Sequence, residues 1–262
     1  MANFPSNPQR SDPIRDQYYK SLEFMDKLSD LLFWVATVLS FAALFIDENT
    51  HTLWSKSIQI IFIIIAVTLF IIGQSVKLYF WPRSESPRRL DFLSYGLGVD
   101  LTHVRTGHYY NNKEIDPIRR TGAAILENTL FTAAIVGKML HFVRVFTLLY
   151  FLGWIAALAI RDTSLGLITV AAQVLFSEQI ISRWLRMEWL RSKCETFHNV
   201  LSSLFRSSPS PEALQPHVWA VFAEYECAKT NAGILMSNKI FEKINPALSQ
   251  EWEQIKKSAN IL

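Results

Sequence analysis

The strongest constraint on this chain is the run IIFIIIAVTLFII, the centre of an uncharged apolar stretch over 57–76. A helix crossing a bilayer needs about 20 mostly apolar residues, because the hydrocarbon core is about 30 Å thick and a helix rises about 1.5 Å per residue. This stretch meets that length, and Tyr79, Phe80 and Trp81 follow it as an interfacial aromatic belt would. Three further stretches read as spans. They are 31–46 (LLFWVATVLSFAALFI), bounded by Asp30 and Asp47, 145–160 (VFTLLYFLGWIAALAI), preceded by His141 and Arg144, and 164–181, the most polar of the four. The chain is 50% hydrophobic and 19% charged, against about a quarter charged in a soluble domain. Its mean hydropathy of +0.16 averages apolar stretches with sequence as polar as any soluble domain.

Only 47–56 separates the first two stretches and 161–163 the last two, and connections this short make antiparallel hairpins. Basic residues near span ends mark the cytoplasmic face. The hairpin loops hold Lys56 and Arg161 against Asp47, Glu48 and Asp162. The opposite side holds Arg10, Arg15, Lys20 and Lys27, then Lys77, Arg83, Arg88 and Arg89, then Lys138 and Arg144, and finally Arg183, Arg186, Arg191 and Lys193. Four spans with both termini in the cytoplasm satisfy every cluster. The polar N-terminus does not read as a cleaved signal. The expected fold is an all-α membrane protein of two transmembrane helical hairpins plus a helical cytoplasmic domain. Its parts are a cytoplasmic N-terminal segment 1–27, a first hairpin 28–81, a cytoplasmic middle segment 82–140, a second hairpin 141–182 and cytoplasmic C-terminal helices 183–262.

Within the polar parts, helical pattern runs from 183 without a breaker to Pro209, and 206–216 (RSSPSPEALQP) reads as a turn or short linker. Trp219, Phe222 and Tyr225 then sit at helical spacing. Asn245-Pro246 is expected to break the chain before a last short helix around Trp252 and Ile255, and the helix of the second span is expected to run on to Pro82. In the middle segment Gly96 and Gly98 interrupt a helix-like run, a loop follows over 102–116, and Pro117 can open a helix at its first position. Cys194 and Cys227 read as reduced thiols.

No zinc pattern, P-loop, dinucleotide fingerprint or nucleophile elbow is present, so neither enzyme chemistry, a metal nor a cofactor is expected. A formal net charge of +3 is too small to imply a nucleic-acid protein. The best ligand-binding candidates are Arg105, His108, Tyr109, Tyr110 and Asn111, backed by Arg119 and Arg120. Arginines pair with phosphates, tyrosine rings offer stacking faces, and an asparagine amide can read a base edge. The same residues also suit an ordinary turn. Arg119 and Arg120 fall in a helical first turn, unfavourable for the dipole, which points to an anion or carboxylate answering them. Glu127, next to Asn128 on an apolar face, needs a partner, and Arg119, Arg120 or a C-terminal basic residue would serve. The polar atoms available to line a conducting path lie on Thr68, Gln74, Gln173 and Ser177. Four helices are too few to pack and also enclose a wide channel, so a pore would need several subunits.

The middle segment reads D-F-L-S-Y-G-L-G, then G-H-Y-Y-N-N, then L-E-N-T-L-F-T between two hairpins. In this it resembles the bacterial four-span membrane effectors associated with SMODS-type nucleotidyltransferases in anti-phage defence, including the membrane component of Hailong-type systems. The resemblance covers roughly 22–199 and is carried by Asp91, Gly98, Tyr109, Tyr110, Asn111, Glu127, Asn128 and Phe131; the stretch after Arg206 has no counterpart. It implies a homo-oligomeric, most simply tetrameric, pore-forming effector in the bacterial inner membrane. A nucleotide or oligonucleotide made by a partner nucleotidyltransferase would gate it, and opening would depolarise the membrane and arrest growth. Asp91, Glu127 and Asn128 would then be structural or gating residues. The alternative is a membrane-anchored sensor or scaffold that recruits a soluble partner and conducts nothing.

Overall fold

Apolar residues at helical spacing fill most of the chain, and the computed structural model, which describes residues 11–44, 52–107, 109–159 and 178–262, is helical almost throughout. The helices are α1 Lys20–Leu44, α2 Thr52–Ser75, α3 Trp81–Leu97, α4 Pro117–Ala159, α5 Arg183–Arg206, α6 Pro211–Ala232 and α7 Asn238–Ser258. Among the described residues there is no strand, and one antiparallel bridge joins Ser11 to Gly107. The fold is therefore all-α. Most of the fourth apolar stretch, with Gln173 and Ser177, and His108 in the polar loop lie outside the described residues.

Four prolines behave differently from the sequence expectation. Pro82 does not end the helix that begins with α2. The turn Val76–Phe80 widens to π-helical geometry just ahead of it, and α3 starts at Trp81. A proline lacks an N–H and crowds the carbonyl four residues back, and a π turn makes room for that ring. Pro211 opens α6 at its first position, capped by Ser210, whose side chain accepts from Ala213 N at 3.4 Å. The turn is thus shorter than 206–216, and Pro216 lies inside the helix. Pro246 lies within α7, which is continuous to Ser258. Burial of Leu248 and Trp252 on its apolar face outweighs the one hydrogen bond that the ring removes.

The described chain forms two compact units. The first contains Met1–Lys20, Trp81–Met139 and Glu188–Leu262. At its centre is the first half of α4, where Ala123, Ala124, Ile125 and Leu126 are all fully buried. Four successive buried positions mean that the helix is covered on every side. Small residues admit the neighbours: Gly96 of α3 lies against Thr121, and Gly122 lies against Phe205 and Val218. The Thr132 hydroxyl meets the Tyr225 hydroxyl at 3.2 Å, and Phe131 packs on Phe241.

The second unit contains Ser21–Phe80 and Leu140–Met187. Phe33, Tyr150 and Ile180 form its small core, with Phe62, Phe146 and Ile181 packed against them. Arg183 ties α1 to the start of α5 through Asp30 at 2.8 Å and Asp26 at 3.8 Å. Its outer surface is apolar: Leu53, Ile60, Ile63, Val67, Phe70, Phe142, Leu149 and Leu152 are all exposed. Two helical stretches, Thr52–Leu97 and Pro117–Gly153, are long and apolar enough to cross a membrane, and only 6% of the most apolar window of the first is buried.

Candidate functional site

The candidate residues of the polar loop belong to the first unit, and the structure gives each described one a partner. α3 ends at Gly98, whose φ of +70° is the left-handed turn that favours glycine and whose N–H reaches Ser94 O at 3.0 Å. The loop then folds back onto α3 through Asp91. That carboxylate, 1% exposed, accepts from Arg105 Nε and Thr106 N at 3.1 Å each and from Thr106 Oγ1 at 2.6 Å. Arg105 also donates to Asp100 at 2.5 Å, and there the carboxylate is 88% exposed. Asp91 is the anchor that shapes the loop.

Tyr110 is not presented as a platform. It is stacked on Tyr95 at 4.5 Å and set edge-on to Phe92, which itself stacks on Phe222. Burial, with Tyr109 and Asp91 adding to it, holds its phenol well above the usual range. Burial and then Glu127 push Tyr95 up to about 12, and its hydroxyl donates to Asn112 O. Both residues are half-buried, with their rings packed on neighbouring aromatics. Tyr109 is half-buried beneath the guanidinium of Arg88, 5.0 Å from its ring centre.

Asn111 and Arg119 hold α4 to the C-terminal segment, and Arg120 holds it to α3. Glu127, buried on α4, accepts from Asn111 N at 3.1 Å and from Asn111 Nδ2 at 2.5 Å. An asparagine from the loop is thus one partner that its burial demands; the sequence pointed to Arg119, Arg120 or a C-terminal basic residue. Asn111 O in turn accepts from Trp252 Nε1 and Lys256 Nζ of α7. Asn128 is half-buried beside Glu127 in the chain. Asp116 caps α4, accepting from Ile118 N and Arg119 N. Arg119 answers the buried Glu114 at 3.1 Å and donates to Asn260 O at 2.8 Å, and Arg120 donates to Gly96 O at 3.1 Å. The carboxylate expected to answer a first-turn arginine is Glu114.

Sequence reasoning missed a second cluster, which no recognisable motif marks. Glu85, 5% exposed, accepts a 2.5 Å hydrogen bond from Tyr19 OH and lies 3.3 Å from Lys229 Nζ. Lys229 also pairs with Glu226, and Glu226 with Arg89. Arg88 meets both Asp12 oxygens through Nη2, at 2.9 and 2.8 Å. Burial alone would raise the Glu85 carboxyl, but Lys229, the Tyr19 hydroxyl and Arg88 together hold it below the usual carboxylate range. Burial pulls Lys229 down, and Glu85 and Glu226 outweigh it, so that the amine stays charged. The only local signal was the spacing of Glu85, Arg88 and Arg89, one helical turn apart. Asp12 and Tyr19 come from more than sixty residues away, and no periodicity announces them.

Thr68 and Gln74 belong to the second unit. The Thr68 hydroxyl donates to Ile64 O of its own helix at 2.8 Å, and Gln74 is exposed. Among the described residues no group of three or more His, Cys, Asp or Glu side chains is placed to hold a metal. No family model, curated protein or solved structure matches the chain.

Proposed function

We propose that this chain is a four-span, homo-oligomeric protein of the bacterial inner membrane with both termini cytoplasmic. Its polar helical unit senses a phosphate-bearing nucleotide or oligonucleotide, supplied by a partner nucleotidyltransferase in a phage-defence setting, and controls a conducting path. The observation that carries the membrane part is the bare apolar surface of α2. Each exposed Ile or Phe there would forgo roughly 1.5–3 kcal/mol of burial in water, and lipid removes that penalty. A core helix of a soluble protein is mostly buried; this one is not.

Ion pairs rank two of the three arginines, Arg119 and Arg105, as phosphate contacts. Arg119 and Glu114 are both mostly buried, and separating them would leave a desolvated charge at a cost of about 3–5 kcal/mol. Arg105 is half-exposed and its second partner, Asp100, is almost fully exposed; such a pair is worth about 0–1 kcal/mol. A phosphate therefore displaces Asp100 far more easily than Glu114, and of these two Arg105 is the residue on which ligand contact rests better.

A second reading, a membrane-anchored scaffold that conducts nothing, is favoured by one observation: the arginines already have partners within the protein. Induced expression in cells carrying a voltage-sensitive dye separates the two. The effector reading expects depolarisation on induction or on infection, whereas a membrane that keeps its potential while the protein is active selects the scaffold. Arg105→Ala is expected to lower nucleotide affinity at least tenfold, the loss of about one charge-assisted contact, and to leave the protein membrane-bound. Unchanged affinity would remove Arg105 from the site.

A further inference from the structure

Residues 11–19 form a strap that lies on the polar unit and runs without a break into α1. Ser11 exchanges backbone hydrogen bonds with Gly107 at 3.1 and 3.0 Å, Tyr18 O accepts from Ser84 Oγ at 3.0 Å, and Tyr19 OH reaches Glu85. Asp12 is the cap of the helix that follows, accepting from Arg15 N at 3.0 Å, and its carboxylate sits on Arg88. The guanidinium lies 5.4 Å from the ring centre of Tyr19 and 5.0 Å from that of Tyr109. The Arg88 and Asp12 side chains are 14% and 20% exposed.

Both side chains are mostly buried, as in the Arg119–Glu114 pair, so Asp12 leaves only where the strap carries it into water and another anion takes its place on Arg88; two features fit such an exchange. Both Asp12 oxygens are served by the single nitrogen Nη2, while Arg88 Nη1 is buried with no hydrogen-bond partner. A guanidinium is built to bind an anion through two nitrogens. The surrounding charges are also balanced only while the strap is in place. Arg88, Arg89 and Lys229 face Asp12, Glu85 and Glu226, and of these acids Asp12 alone comes from the strap. Without it the cluster carries one positive charge in excess beside an aromatic face.

We infer that Arg88, with Tyr109 beside it, is an anion seat that Asp12 fills in cis, and that a phosphate-bearing soluble ligand taking this seat frees the strap from α3 and the loop. A phosphate offers enough acceptor oxygens for Nη1 and Nη2 together, which the carboxylate does not use. The inference rests on the ligand-controlled reading proposed above. It adds the seat itself and a route by which occupancy reaches α1, the helix that the strap begins.

The test uses full-length protein in phosphatidylcholine nanodiscs and inorganic tripolyphosphate, with binding followed by calorimetry. Asp12→Asn keeps a good helix cap but removes the competing charge, and is expected to bind on the order of tenfold more tightly than the parent. Arg88→Gln added to it should abolish the binding. Ser11→Cys with Gly107→Cys, in a Cys227→Ser background, closes the strap: a Cβ at 107 lies 3.8 Å from that of Ser11, the separation that a disulfide spans. The oxidised form should bind at least tenfold more weakly than the same protein after reduction. The seat is overturned if Asp12→Asn binds no better than the parent, if the oxidised lock binds as well as the reduced form, or if neither parent nor Asp12→Asn binds at millimolar tripolyphosphate. Loss of binding when phosphatidic acid is added to the nanodiscs would overturn a soluble source for the anion. Failure of the effector reading shows instead as an undisturbed membrane potential and leaves these affinities unaffected.

Discussion

Four nearly buried carboxylates, those of Glu85, Asp91, Glu114 and Glu127, set the behaviour of the polar unit at the residue scale. Each sits where an unpaired carboxylate would cost several kcal/mol, and each is met by donors that the fold brings to it: Tyr19 and Lys229 for Glu85, Arg105 and Thr106 for Asp91, Arg119 for Glu114 and Asn111 for Glu127. For Glu85 the consequence is a pH dependence of known sign. Its folded pKa lies below the ordinary 4.5, so the stability it contributes is present above that value and is lost as pH falls through the folded pKa. Thermal unfolding of the detergent-solubilised protein, followed below pH 4.5, should show a shallower acid decline in Glu85→Gln than in the parent. A parallel decline would mean that Glu85 is not held charged by its partners. The two cysteines give a second expectation. Burial pushes the Cys194 thiol up to about 12, whereas Cys227 is exposed. The thiolate is the reactive form, so a maleimide should label the native protein at Cys227 and reach Cys194 only on unfolding. Stoichiometric labelling of both in the native state would contradict the packing around α5.

Prolines decide most at the scale of elements. Breakers were expected at Pro82 and Pro246, and in both places the helix continues. A lost N–H and a crowded ring act on one turn, whereas burial of an amphipathic face acts along the whole helix. The larger sum wins, and at Pro82 the π turn absorbs the strain. Alanine at 246 restores a backbone donor in a helix that is already formed. Pro246→Ala is therefore expected to raise the unfolding midpoint of the polar unit, with a ceiling of about 3 kcal/mol. A lower midpoint would show that the ring sets a bend on which the burial of Trp252 depends. Gly98 is the reverse case. Its φ of +70° and the approach of Arg120 Nη2 to within 2.8 Å of a would-be Cβ make Gly98→Ala costly by about 1–2 kcal/mol from the backbone alone. A circular-dichroism melt checks it, and an unchanged midpoint would mean the loop can relax.

On the scale of the whole molecule, the polar unit fills its own interior, whereas the other exposes its most apolar side chains. A solvent that is itself apolar reconciles the two. Reporters fused at residue 1 and at residue 262 should both be active in the cytoplasm, and alkaline carbonate should leave the chain with the membrane pellet. A periplasmic signal at either end, or extraction by carbonate, would end the four-span reading.

The apolar runs, the helical class, the opening of α4 at Pro117 and the loop over 102–116 were legible in the sequence. Each rests on composition or spacing within a few turns of chain, and local pattern reports on local burial. Charge pairing was legible only in part: a first-turn arginine called for an anion or carboxylate, and Glu114 answers Arg119. The loop arginines looked available for a ligand because spacing does not show that Asp100 and Glu114 turn towards Arg105 and Arg119, and for Glu127 the sequence offered Arg119, Arg120 or a C-terminal basic residue but did not point to Asn111. Asp12, Tyr19, Glu85, Arg88 and Lys229 went unseen because a buried ion pair forms between whichever residues packing brings together, whatever their separation in sequence. The chain by itself determined which surfaces must leave water. Only the tertiary structure decided which charges meet, because that depends on distances that no periodicity encodes.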